Sequence, residues 1–205
     1  MSFDGFPFVV GWELTLVCNL RCRHCGSSAD LPREDELTLE ESLAICDQFP
    51  ELFVQEVNFT GGEPLLRPDW QRIADHLRKL DLKTKILTNG VTLDPNIIAQ
   101  MKQVEIAGVG ISLDGLEATH DYIRGHKGLF RRVLTGIKLV LNADIPLTLI
   151  TTVNALNIRE LSSLFALLRS LGVSSWQIQP IFPLGRANDA AELELTQQSY
   201  MDLRP

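Results

Sequence analysis

The sequence predicts an α/β fold of parallel strands curved into a concave, barrel-like wall, and three observations carry that prediction. Apolar, β-branched runs of strand length alternate with amphipathic runs of helix length, the sign of repeated βα units around a parallel sheet. Six such units can be counted. Each strand also ends in unusual polar or glycine-rich residues, whereas the opposite ends are plain; six strands delivering polar groups to one rim fit a barrel mouth better than the single crevice of an open doubly wound sheet.

The strands are read at Val9 to Val17, Val54 to Thr60, Lys83 to Thr88, Ala107 to Leu113, Leu147 to Val153 and Ser174 to Pro180. The first helix, Thr38 to Phe49, opens on a capping box formed by Thr38 and Glu41, and the second starts near Asp69 after Pro68. A third follows Asp94 and Pro95, a fourth covers Leu129 to Leu141, and a fifth runs from Ile158 to Leu171 and stops at Gly172. A sixth begins near Thr196. From Pro183 onward the pattern loosens into Gly, Asn, Asp and Glu, which reads as the start of a truncated C-terminal region.

The chain has 205 residues, 45% of them hydrophobic, enough for one sizeable core. Its formal net charge is -7, with lysines and arginines scattered, so the basic stripe that a nucleic-acid backbone requires is missing and no nucleic-acid partner is expected. The most apolar stretch, Ile145 to Val153, is broken by Pro146 and threonines, and the start lacks the basic and apolar regions of a signal peptide. No membrane association and a cytoplasmic location are the expectation.

Three of the four cysteines, Cys18, Cys22 and Cys25, fall within eight residues directly after the first strand. Neighbours this close make poor disulfides but can surround one inorganic centre. The fourth, Cys46, sits inside the first helix pattern and reads as a small buried hydrophobe. Three ligands leave one coordination position open: for a four-iron cluster a place for a small molecule, for zinc a catalytic arrangement. Zinc completed by His24, and a chance grouping of thiols, are the alternatives.

The Cys-x3-Cys-x2-Cys run after the first strand resembles the radical S-adenosylmethionine (SAM) superfamily. The resemblance implies a partial (β/α)6 TIM-like barrel over residues 8 to 182, within a core domain spanning 1 to 205, and a [4Fe-4S] cluster on the three cysteines. The piece Trp12 to Ser28 is similar to members with a cysteine-rich C-terminal SPASM extension, which modify ribosomal peptides or build cofactors; no such extension lies in these 205 residues. The implied chemistry is reductive cleavage of SAM to methionine and a 5′-deoxyadenosyl radical, which takes a hydrogen atom from a peptide or small-molecule substrate. A flavodoxin or ferredoxin is the implied electron donor.

Gly61-Gly62-Glu63-Pro64 resembles the family's GGE motif, implying that backbone and carboxylate there hold the SAM ammonium; read alone, it is a turn. Ser112 and Arg124 are similar to the pair that binds the SAM carboxylate, against the alternative that Arg124 pairs with Asp121 or Asp114 on the surface. His24 stands where the family places an aromatic ring, more commonly tyrosine, near the adenine. Asn89, Asp114 and Asn154, at strand ends, are candidates for ribose or substrate contacts, or equally Asx-type turn formers. Gly185-Arg186-Ala187 resembles a stretch that follows strand six in SPASM-type members. The competing reading of the chain is a zinc-binding or iron–sulfur electron-carrier module without SAM chemistry.

Overall fold

The computed structural model describes residues 7–202. Six strands, β1 (Val9–Thr15), β2 (Glu56–Gly61), β3 (Lys83–Thr88), β4 (Gly108–Ser112), β5 (Leu147–Val153) and β6 (Ser175–Pro180), form one sheet in the order of the sequence, every neighbouring pair parallel. Each crossover therefore returns to the adjacent strand, as in a barrel wound in one direction, and no strand order reverses at a switch point. This is the α/β partial-barrel architecture.

Strand residues divide by the two-residue period. Val57 and Phe59 of β2, Ile86 of β3, and Leu147, Leu149, Thr151 and Val153 of β5 are buried under the helices. Their alternates face the concave side, among them Lys85 and Leu87 of β3, Thr148, Ile150 and Thr152 of β5, and Gln177 and Gln179 of β6.

Helices α1 (Leu39–Cys46), α2 (Trp70–Lys79), α3 (Pro95–Gln103), α4 (Glu117–Arg124), α5 (Leu129–Asn142) and α6 (Leu161–Ser170) accompany the sheet, and α7 (Gln197–Asp202) follows it. The expected capping box at Thr38 and Glu41 is present, and Asp94 accepts from the Ile97 amide with Pro95 as first helical residue. Asp69 precedes α2 without capping it, because its carboxylate is taken by Arg67 at 2.6 Å. On α2, Trp70, Ile73, Ala74 and Leu77 share the buried face; on α5 it is Phe130, Val133, Ile137 and Val140. Completely burying one such aliphatic side chain contributes about 1.5–3 kcal/mol, and truncating Ile137 to Ala is expected to cost about 2–5 kcal/mol.

Several element boundaries differ from the sequence expectation, and one helix is new. The first strand ends at Thr15 rather than Val17, because the Leu16 amide turns to the Glu36 carboxylate at 2.6 Å. The fifth helix is divided into a 3-10 turn, Ile158–Glu160, and α6. Helix α4 was not expected as a separate element.

Residues 181–195 do not continue the barrel. Ile181, Ala187, Ala190, Leu193 and Leu195 pack with Ile123 of α4 and Val153 of β5 into a second, smaller core. This brings the chain after β6 back over the cysteine loop. Among the described residues no helix is long and apolar enough to cross a membrane.

Candidate active site

A cavity of about 580 Å³ opens at the carboxyl ends of the strands. All three clustered cysteines line it, together with Thr60 and Gly61 at the end of β2, Gly62 after it, Asn89 after β3, Ser112 of β4, and Thr152, Gln177 and Gln179 of β5 and β6. Cys46 is fully buried away from it in α1, where burial pushes its thiol up to about 12. Burial also raises Cys18 and, against the pull of the Arg124 guanidinium, Cys22. Among the described residues no three Cys, His, Asp or Glu side chains are gathered closely enough to ligate a single metal ion.

The glycines after β2 have a packing reason. The Gly62 amide donates to Thr15 O at 2.7 Å and the Glu63 amide to Val17 O at 2.8 Å, so the end of β2 lies directly against the chain entering the cysteine loop. A Cβ on Gly62 would overlap the Val17 carbonyl and come within 2.7 Å of Leu16 O, and Gly61 adopts φ 115°. Close approach to neighbouring backbone already demands glycine here.

Glu63 turns inward. Its carboxylate is fully buried and accepts from Thr88 Oγ1 at 2.9 Å, the Asn89 amide at 2.8 Å and the Leu65 amide at 3.3 Å. Burial raises its pKa to about 7, against the lowering effect of these donors. In this structure its lone pairs serve the β2–β3 junction, and neither it nor the buried Pro64 lines the cavity.

Asp114 lies beneath the cavity, not on its wall. Its Oδ2 receives Arg124 Nε and Nη2, both at 2.6 Å, and His24 Nε2 at 3.0 Å, while Oδ1 accepts the Thr152 amide at 2.9 Å. Burial alone would raise this carboxyl; Arg124 first, then His24, overcome it and hold it well below the usual carboxylate range. The pairing of Arg124 with Asp114 thus exists in the interior, the side chains being 10% and 0% exposed, and not on the surface. Arg124 still lines the cavity and reaches Cys22 Sγ at 3.8 Å.

Because a carboxylate only accepts, His24 Nε2 carries a proton, and its Nδ1 is buried with no hydrogen-bond partner, while the residue lines the cavity. Asn89 donates from Nδ2 to Asn19 Oδ1 at 2.8 Å and approaches Cys18 Sγ at 3.9 Å, while its Oδ1 closes an Asx turn with the Val91 amide. Asn154 takes the turn-forming alternative in this structure: fully buried, it accepts from the Leu156 amide and donates to Thr152 O, and it does not line the cavity.

Sequence reasoning did not single out Thr152, Gln177 or Leu184, all cavity residues. For the first two the signal was available in the two-residue alternation of β5 and β6. His120 also went unassigned: its Nδ1 accepts the Asp114 amide at 3.0 Å, and burial, with Arg124 adding to it, lowers its pKa to about 4.

A partial barrel wound in one direction, with three thiols of one loop at its carboxyl-end mouth, defines a class that the comparison of sequences identifies: the radical SAM superfamily profile matches residues 12–168, and the chain belongs to that family. Among curated relatives, it is 35% identical over 195 residues to an AdoMet-dependent heme synthase of Methanosarcina barkeri, covering 94% of this chain and 56% of that protein. It is 33% identical over 190 residues to the mycofactocin maturase MftC of Mycobacterium ulcerans, covering 91% and 50%. The chain thus spans about half the length of these relatives. Two solved structures share the fold: native anSMEcpe with bound AdoMet and the Kp18Cys peptide (TM-score 0.80, 17% identity, 94% of this chain and 56% of that one) and Streptococcus suis SuiB bound to S-adenosylmethionine (TM-score 0.78, 15% identity, 93% and 43%).

Proposed function

We propose that this chain forms the catalytic core of a radical SAM enzyme, holding a [4Fe-4S] cluster on Cys18, Cys22 and Cys25 and abstracting hydrogen from a peptide or a small cofactor precursor. The observation that carries the reading is that all three thiols of one short loop line a single cavity of about 580 Å³, while the fourth cysteine is packed elsewhere. Three soft thiolate donors suit an iron–sulfur cluster and leave one corner for an exchangeable ligand. The residues present fit the group.

When bound, the cluster supplies the electron that cleaves SAM to methionine and the 5′-deoxyadenosyl radical. The chain's own residues orient and shield. Gly61, Gly62, Ser112 and Arg124 are the candidates to hold the methionine end, and the His24 ring, which lines the cavity, is the candidate to lie near the adenine. Leu20, Leu87, Ile150 and Leu184 give the wall its apolar parts, which exclude water and stray hydrogen donors. The substrate class is supported by the relatives, named as heme synthases, a mycofactocin maturase and the PqqA peptide cyclase. A cytoplasmic setting with flavodoxin or ferredoxin as electron donor belongs to the same proposal.

The test is anaerobic reconstitution with iron and sulfide, followed by SAM and a reductant. Formation of 5′-deoxyadenosine, lost in the triple Cys→Ala variant, is the expected result. A colourless protein with one zinc and no SAM cleavage would instead establish a zinc module, and a brown protein that never cleaves SAM an electron carrier.

A further inference from the structure

We infer that Arg186 is a positioning residue for the metal centre: it clamps the cysteine loop from the far end of the chain and places an unneutralised positive charge beside it. This rests on the cluster assignment above for its electrostatic half, but not for its mechanical half.

The geometry is specific. Arg186 Nε donates to Cys22 O at 2.9 Å, Nη1 to Ala29 O at 3.0 Å, and its own amide to Cys25 O at 2.9 Å. One residue thus ties both ends of the segment 22–29 and its middle, where the third thiol stands. Two of these three carbonyls belong to cysteines that line the cavity. A guanidinium can do this because its donors are fixed in a planar fork, where the single ammonium of lysine reaches one acceptor cleanly.

The approach is built in. Gly185 adopts φ 56°, and a Cβ on it would overlap the carbonyls of Cys25 and Gly26, so the tail can lie this close only with glycine at that position. The clamp is delivered by the small core of Ile181, Ala187, Ala190, Leu193 and Leu195 on Ile123 and Val153, which is separate from the main core under the sheet. No carboxylate forms an ion pair with Arg186 among the described residues, whereas Arg124, the other guanidinium at the cavity, is neutralised by Asp114. Arg186 is therefore the cavity-lining guanidinium that has no carboxylate partner among the described residues, bound to the backbone of the loop that carries the three cysteines. It favours added negative charge there, and hence the reduced state of a cluster.

Arg186→Gln and Arg186→Lys test both halves. In the cluster-free chain, amide hydrogen exchange of residues 23–29 is expected to quicken roughly tenfold or more in both variants, with the amides of β2 to β5 unchanged as the control for folding. In anaerobically reconstituted protein, Arg186→Gln is expected to move the cluster midpoint potential to more negative values, while Arg186→Lys, which keeps the charge, stays near the parent. Unchanged loop exchange in both variants would overturn the clamp. Equal potentials for parent and Arg186→Gln would overturn the electrostatic role. If no variant or parent takes up iron and sulfide, the functional reading fails while the exchange result still decides the clamp. Should Arg186→Gln lose protection globally, the Lys variant's local exchange alone decides it.

Discussion

Replacing Asp114 by Asn removes a charge without changing shape, at a position with no solvent exposure. Three donors converge on its Oδ2: two from Arg124 at 2.6 Å and one from His24 at 3.0 Å. An asparagine either turns its NH2 towards those donors or presents a neutral oxygen, and in both cases Arg124, 10% exposed, becomes a buried cation without a counter-charge. Breaking a buried pair from one side costs about 3–5 kcal/mol, a large share of the roughly 5–15 kcal/mol that holds a domain together. Urea titration of the cluster-free chain measures it as a drop in midpoint at constant slope. Adding Arg124→Met is expected to recover part of the loss, because the stranded cation is then gone. The carboxyl lies below its ordinary value of 3.8 in the folded chain, so its contribution is complete above that pH and declines only as the solution is acidified further. A loss under about 1 kcal/mol, the range of solvated surface pairs, or a double variant as unstable as the sum of the two singles, would refute the account of a desolvated pair.

Gly62→Ala is expected to displace the entry to the cysteine loop, since the new methyl would meet Leu16 O at 2.7 Å as well as the Val17 carbonyl; iron and sulfide content after reconstitution, with a thermal melt beside it, is the measurement. Arg124→Lys is expected to weaken SAM binding roughly tenfold or more through loss of the planar fork, and equilibrium binding at unchanged affinity would remove Arg124 from the ligand's surroundings. His120 and Glu63 give opposed pH dependences. Between pH 4 and 6.5 the folded chain binds less of a proton at His120 than the unfolded chain, so stability rises with pH; between 4.5 and 7 it binds more at Glu63, so stability falls with pH. The two contributions are each on the order of a few kcal/mol and opposite in sign, so they offset one another. In His120→Gln, which keeps an acceptor for the Asp114 amide, urea midpoints should therefore fall from pH 4.5 to 7, and a flat profile would contradict this.

The central strands were legible because they bury apolar, largely β-branched residues under helices and end in chemistry at one rim, so the periodicity and the punctuation agree. Helix α4 was hidden for the opposite reason. Its buried face is made of His120, Ile123 and Arg124, so no apolar stripe announces it, and Leu116 before it offers no side-chain cap. At the site, the three thiols, His24, Asn89, Ser112 and Arg124 were placed on one cavity by motif and strand position. The inward turn of Glu63 and Asp114 was not legible, because a sequence shows that a carboxylate is near a strand end but not which side of the sheet it faces or which amides claim it. Arg186 lies over 150 residues from the carbonyls it binds, a separation that no local pattern encodes.

The orientation of Glu63 bears on how damage at this motif should be interpreted. An acidic side chain that joins two strand ends is mortar, so its removal would lower turnover by letting the masonry shift, even if it never meets the ligand. Kinetic defects there are to be compared with the melting behaviour of the same variant before any loss is credited to recognition.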